Sequence, residues 1–285
     1  MPRLIVTADD FGLAEPVNKA VEQAFRTGIL TCTSLMVTAP AAADAVQRAR
    51  ELPGLGVGLH LVLVDGRPAL PPEQIPDLVG PDGRFPTGEV GIGIRLFFQH
   101  KVRRQAEAEL RAQFELFRAT GLPLDHVNGH HHFHQHPTVV SILMRLAKEF
   151  GIRQVRLPLE PFAPSWRAQR QHLGGRLLAL MLPVPRLLRM RTRLASAGIR
   201  CNDHMFGLHE SGHMTPECLD RFLRQLPEQG VAEIYCHPAT RHWQGLDALP
   251  EDYRCVEEFE AIADPRRRQR LFDEGIERIP YAGMR

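Results

Sequence analysis

Leu4-Ile5-Val6-Thr7-Ala8-Asp9-Asp10 decides how the rest of this chain is read. Leu4–Ala8 is a short apolar run rich in residues that favour strands, and it ends in two acids. A helical pattern follows, with Val17, Ala20, Val21, Ala24 and Phe25 on one face and Gly28 as the stop. The same alternation continues outward. Ser34–Val37, Gly56–Leu63, Leu124–Asn128, Val155–Leu157 and Ala232–Cys236 read as strands. Ala41–Leu52, Val102–Thr120, the turns after Pro137, Pro216–Gln225 and Glu257–Glu274 read as helices. Arg67–Glu89, rich in Pro, Gly and Asp, reads as loop. Strands alternating with helices predict a mostly parallel sheet covered by helices, in a barrel or a doubly wound arrangement.

The 285 residues suit one large domain, and no repeat or linker divides them, so 1–285 is taken as a single unit. Its least regular part is an Arg-rich apolar excursion around 160–213. A net charge of +2 is too near neutral for a dedicated nucleic-acid binder. The five cysteines form no CxxC pair and are odd in number, which argues against a disulfide framework and for a reducing, cytoplasmic setting. The N-terminal apolar run is too short for a signal peptide. Leu177–Leu188, interrupted by Pro183, Pro185 and Arg186, is too short to span a bilayer. With Arg189, Arg191 and Arg193 it reads either as an ordinary barrel helix with a basic face or as a segment lying on a membrane surface.

Polar chemistry collects at strand ends. Asp9 and Asp10 follow the first strand, and His60 lies in Gly58-Leu59-His60-Leu61. Asp125-His126-Val127-Asn128-Gly129-His130-His131-His132-Phe133-His134-Gln135-His136 follows a middle strand, and His237-Pro238 a late one. In parallel α/β folds these ends share one face, so the groups should converge. Adjacent carboxylates can divide labour, one on a cation and one as a general base. Singly, Asp9-Asp10 could cap a helix, His60 could be a core residue and His237 could cap a loop. A histidine-rich tract usually binds metal, and His237 has the pKa range of a general acid. Cys236 reads as core. His204, His209 and His213 form a looser group, read as structural or substrate-facing.

Thr7-Ala8-Asp9-Asp10-Phe11-Gly12-Leu13, Gly58-Leu59-His60-Leu61, the His126-to-His134 run and Tyr235-Cys236-His237-Pro238-Ala239 together resemble the YdjC-like (ChbG-like) carbohydrate deacetylases. The motifs occur in the family's order and cover nearly the whole chain. The resemblance implies a single-domain, TIM-like (β/α) barrel, complete or incomplete, one divalent metal ion, and hydrolysis of an N-acetyl group from an amino sugar. It implies Asp10, His60 and His130 as metal ligands, Asp9 as general base and His237 as the acid that protonates the amine. His132, His134 and Asn128 fall to substrate binding or to support behind the ligands. Relatives often carry Asp-Ser where this chain has Asn128-Gly129. An Asp-His-His set suits zinc first, then nickel, cobalt, manganese or magnesium.

Leu59–Val64, Pro71–Val79, Gly121–Asn128 and Val155–Pro158 look like the hopanoid-biosynthesis-associated HpnK branch. That implies N-acetylglucosaminyl hopanoid as substrate and a cytoplasmic protein peripheral to the membrane. A homodimer is a family-level expectation. Competing readings are a deacetylase of a soluble chitooligosaccharide-type sugar, a metal-dependent phosphoesterase, and a metal-binding or lipid-carrier protein without turnover.

Overall fold

The structure is a computed structural model that describes residues 1–169 and 183–284. Seven strands form one sheet: β1 (Arg3–Phe11), β2 (Cys32–Leu35), β3 (Gly56–Leu61), β4 (Val127–Gly129), β5 (His204–Phe206), β6 (Val231–Cys236) and β7 (Glu277–Arg278). Their order is β4-β3-β2-β1-β6-β5, with β7 pairing the start of β1. Every ladder is parallel. β1 is central, which explains its continuous apolar run: both of its faces are covered.

The ten described helices are α1 (Glu15–Thr27), α2 (Ala42–Arg50), α3 (Glu89–Phe98), α4 (His100–Ala119), α5 (Pro137–Phe150), α6 (Phe162–Gln169), α7 (Val184–Ser196), α8 (Pro216–Leu223), α9 (Cys255–Ala263) and α10 (Pro265–Asp273). Pro137 starts α5 where a missing N–H costs nothing, and Gly151 ends it at φ 66°. After α1, a Cβ at Gly28 would lie 1.9 Å from the Ile262 carbonyl oxygen, so only glycine lets α1 end against α9.

The expected barrel-like architecture is present and incomplete. The expected strand Val155–Leu157 is not one. Gln154 and Val155 make isolated parallel bridges to Arg200 and Val127. The Met205 amide then donates to the Leu159 carbonyl. The segment thus spans the gap between β4 and β5, with two backbone hydrogen bonds to Val127 and two to Arg200 beside the Met205–Leu159 bond. β2 begins two residues earlier than expected, and β4 runs Val127–Gly129 instead of Leu124–Asn128. α3, β5 and β7 were not anticipated.

The 160–213 stretch is not wholly an excursion, because β5 belongs to the sheet. Within it, α7 buries Leu187, Met190 and Leu194. The Val184–Arg193 part of the expected surface segment is therefore mostly a packing helix; its residues 177–182 lie outside the described residues. Among the described residues, no helix is long and apolar enough to cross a membrane.

Candidate active site

β1 delivers both acids to one cavity through a break in its own geometry. Asp10 adopts φ 62°, a left-handed conformation unusual for a non-glycine residue. The β1–β2 register shifts between Ala8 and Phe11 at the same point. Strand alternation would send Asp9 and Asp10 to opposite faces, yet both line the same cavity of about 250 Å3. Neither caps a helix, since Ala14 is the N-cap of α1.

His60 comes from β3 and His130 from the turn after β4. Asp10 Oδ1 lies 3.3 Å from His60 Nε2 and 3.1 Å from His130 Nδ1. The ligating atoms of the three residues all fall within 4.8 Å of one another. His60 Nδ1 donates to Asn128 Oδ1 at 2.7 Å. That bond makes Nδ1 the donor and turns Nε2, the atom that would bind a metal, toward Asp10. Asp10 is held well below the usual carboxylate range: burial opposes ionisation, but His130 and then His60 outweigh it. The donor set, its tautomer and its burial fit a divalent cation.

Asn128 does more than orient His60. Its amide nitrogen donates to Asp9 Oδ1 at 3.1 Å and to Ser34 Oγ at 2.8 Å. The Ser34 hydroxyl contacts His126 Nε2 at 3.1 Å, and His126 Nδ1 meets Asp125 Oδ2 at 2.9 Å. Asp125 also accepts from the backbone N–H groups of Tyr281 and Ala282. The Ser34–His126–Asp125 arrangement resembles a nucleophilic triad but is sealed in the core, so it supports His60 and attacks nothing. Cys32, Asp125 and His126 are close enough to suggest a second metal group. Their contacts are mutual hydrogen bonds, however, and burial pushes the Cys32 thiol well up.

Sequence reading missed Arg156. This fully buried guanidinium donates to Asp9 through Nη1 at 2.5 Å and Nη2 at 3.0 Å. It also donates to Glu233 of β6, at 2.7 Å from Nη2. Glu233 accepts in turn from the hydroxyls of Thr7 and Tyr281. Burial alone would raise the Asp9 pKa, but Arg156 holds it far below the usual range. Asp9 is thus a fixed carboxylate anion. A lone arginine in Val155-Arg156-Leu157 and a lone acid in Ala232-Glu233-Ile234 were the available signals.

The remaining expected residues divide. His237 lines the cavity, and burial lowers its pKa against the pull of Asp10 and Asp9. Its backbone N–H donates to Glu258, whose carboxyl burial raises to about 7. His132 lines the cavity beside Tyr235, with ring centroids 5.0 Å apart. The buried Nδ1 atoms of His132 and His237 have no hydrogen-bond partner among the described residues, which leaves two polar groups for a ligand to satisfy. His134 is not on the cavity wall. Its Nε2 donates to the Arg156 carbonyl at 3.0 Å, and burial takes its pKa down to about 3. His204, His209 and His213 do not line the cavity.

At the cavity mouth, Asp65, His130 and His131 form another close group. His131 faces Asp65 through Nε2 at 3.5 Å and Glu89 through Nδ1 at 3.4 Å. The two carboxylates push its pKa up to about 9. This group at the mouth is exposed where Asp10, His60 and His130 are largely buried, and it shares His130 with them.

The chain is similar in fold and in sequence to proteins already known. A crystal structure of an Enterococcus faecalis protein, to which cleavage of cellobiose phosphate has been ascribed, matches with a TM-score of 0.73 at 24% identity, covering 98% of this chain and 97% of that one. A carbohydrate deacetylase of Geobacillus stearothermophilus is 32% identical over 283 residues, 99% of this chain and 98% of the relative. One from Vibrio vulnificus is 40% identical over 242 residues, 83% and 78% of the two chains. One from Mus musculus is 31% identical over 294 residues, 96% and 92%. The profile described as YdjC-like protein matches residues 3–273, and the chain belongs to that family.

Proposed function

We propose that the protein is a metal-dependent carbohydrate N-deacetylase, hydrolysing the acetamide of an amino sugar to acetate and free amine. The observation that carries the reading is the convergence of Asp9, Asp10, His60, His130 and His237 from four strand ends on one cavity. Arg156 is committed to Asp9 and Glu233, so Asp10 keeps a buried negative charge that an added cation would offset. The deacetylase relatives support the same chemistry.

A divalent ion held by Asp10, His60 and His130 would polarise the acetamide carbonyl and acidify a water. Zinc suits the donor set best, with nickel, cobalt, manganese and magnesium as alternatives. Asp9, clamped by Arg156 and Asn128, is oriented to take the proton from the attacking water. His237 would hand a proton to the departing nitrogen, and the proton that Asp9 takes from the water balances the one delivered. Burial lowers the His237 pKa, while Asp10 and then Asp9 pull it back up. Each acid–base contribution is worth about 10²–10⁴-fold.

For the substrate we propose N-acetylglucosaminyl hopanoid, on the likeness of four sequence stretches to the hopanoid-associated branch. The reading makes the protein cytoplasmic and peripheral to the membrane's inner face, in keeping with its five free cysteines. A cavity near the lower limit of ligand pockets suits one sugar unit better than a polymer.

Acetate release from metal-loaded protein tests this, with N-acetylglucosaminyl hopanoid and N,N′-diacetylchitobiose as parallel substrates. Asp9→Asn should remove turnover by at least two orders of magnitude while leaving metal bound. His60→Ala and His130→Ala should lose the metal. Acetate from the soluble sugar alone would keep the chemistry and discard the hopanoid. Acetate from neither would overturn the deacetylase reading.

A further inference from the structure

Helix α3 has two apolar faces. Ile92 and Leu96 point into the core, as any packing helix requires. Val90, Ile94, Phe97 and Phe98 lie on the outside, between 51% and 76% exposed. The phenyl rings of Phe97 and Phe98 touch edge to face, 5.1 Å between centroids. Scattered apolar residues on a surface are ordinary, but four large ones on a ten-residue helix form a patch.

The patch sits at the entrance to the active site. Glu89, the first residue of α3, lines the catalytic cavity. It also lines an adjoining groove of about 230 Å3, walled by Val90, Ile94, Phe133, His136 and Arg186. Leu246, 83% exposed, lies on the rim of the same catalytic cavity. Along the sequence, residues 88–104 hold one acid, Glu89, against Arg95, Lys101, Arg103 and Arg104; of these Lys101 is paired with Asp77 at 2.9 Å. Exposed Arg186 closes the other flank.

We propose that the outer face of α3 docks on an anionic lipid–water interface and sets the mouth of the catalytic cavity against it. Phenyl and aliphatic side chains ringed by lysine and arginine are what an interfacial helix presents to acidic headgroups. A second copy of the chain is a poorer occupant, because a two-fold contact would bring the Arg103–Arg104 rims together as like charges. The proposal rests on the lipid-linked substrate for its purpose, but its physical test needs no substrate. The docking element is α3, and the earlier Leu177–Arg193 candidate is not required.

Sedimentation with vesicles tests it, using phosphatidylcholine alone and phosphatidylcholine mixed with phosphatidylglycerol. The wild type should co-sediment with the mixed vesicles and be released by salt. F97S/F98S should weaken partition by about tenfold per phenyl lost, and V90S/I94S, on the same face, should weaken it too. R104E should weaken the preference for phosphatidylglycerol. All three should keep wild-type melting temperature and turnover of a soluble N-acetyl sugar. Failure of the wild type to bind vesicles, or equal binding by F97S/F98S, would overturn the proposal. So would a wild-type dimer that F97S/F98S converts to monomer. Vesicle binding without acetate release from the glycolipid would leave the docking surface standing and remove the hopanoid substrate.

Discussion

Arg156 grips Asp9 with two hydrogen bonds, and neither residue has meaningful contact with bulk water. The pair fixes the plane of the carboxylate as well as its charge. Removing the arginine leaves Asp9 and Glu233 buried without a counter-charge. Arg156→Ala should therefore cost about 3–5 kcal/mol of folding stability. Arg156→Lys keeps the charge but loses the bidentate fork, so it should unfold less readily while turnover still falls. Urea denaturation beside acetate-release kinetics checks both. A lysine variant with unchanged turnover would show that orientation of Asp9 does not matter.

Asn128 joins base to ligand, because its two amide atoms serve Asp9 and His60 at once. Asn128→Ala should weaken metal binding by about 10–100-fold, the usual effect of losing a partner behind a ligating histidine. Asn128→Asp should keep the acceptor for His60 but set a third carboxylate against Asp9. It should bind metal well and turn over slowly. Competition with a chromogenic chelator, run beside the kinetics, separates affinity from rate.

A bound ion should also stabilise the fold. At a free metal concentration of 100 times the dissociation constant the gain is about 2.7 kcal/mol. Chelation should lower the melting temperature of the wild type but not of His60→Ala or His130→Ala. An equal drop in all three would place the ion elsewhere.

Glu258 sets a pH dependence of its own. Its carboxyl titrates near 7 in the fold against an ordinary value of 4.5, because burial penalises the anion. The folded state therefore holds this proton more tightly than the unfolded chain does. The cost is full above pH 7 and is relieved as pH falls from 7 towards 4.5. Glu258→Gln removes the titration, so the wild type should gain about 2 kcal/mol relative to the variant between pH 8 and 5.5. Comparing the two proteins cancels the opposite trend from buried neutral histidines such as His134, which favour unfolding as they charge in acid. A pH-independent difference would exclude the assignment.

The convergence of Asp9, Asp10, His60, His130 and His237 was legible because each follows or ends an apolar run, and parallel strands end on one side. Arg156 was not, because its meaning lies in partners 147 and 77 positions away. The left-handed turn at Asp10 was also hidden, because an aspartate carries no mark of the φ it will adopt. α3 escaped because Gly91 and Gly93 weaken its helical pattern and apolar residues fall on both of its faces. β5 and β7, at three and two residues, are too short to show a period.

The Tyr281 hydroxyl reaches Glu233 and its amide reaches Asp125, 156 positions earlier. The aspartates of β1 therefore rest on a scaffold that is closed from far downstream in the sequence. In refolding from denaturant, the support beneath them should be among the slower features to form, because contacts of such separation must first overcome the entropy of a long loop.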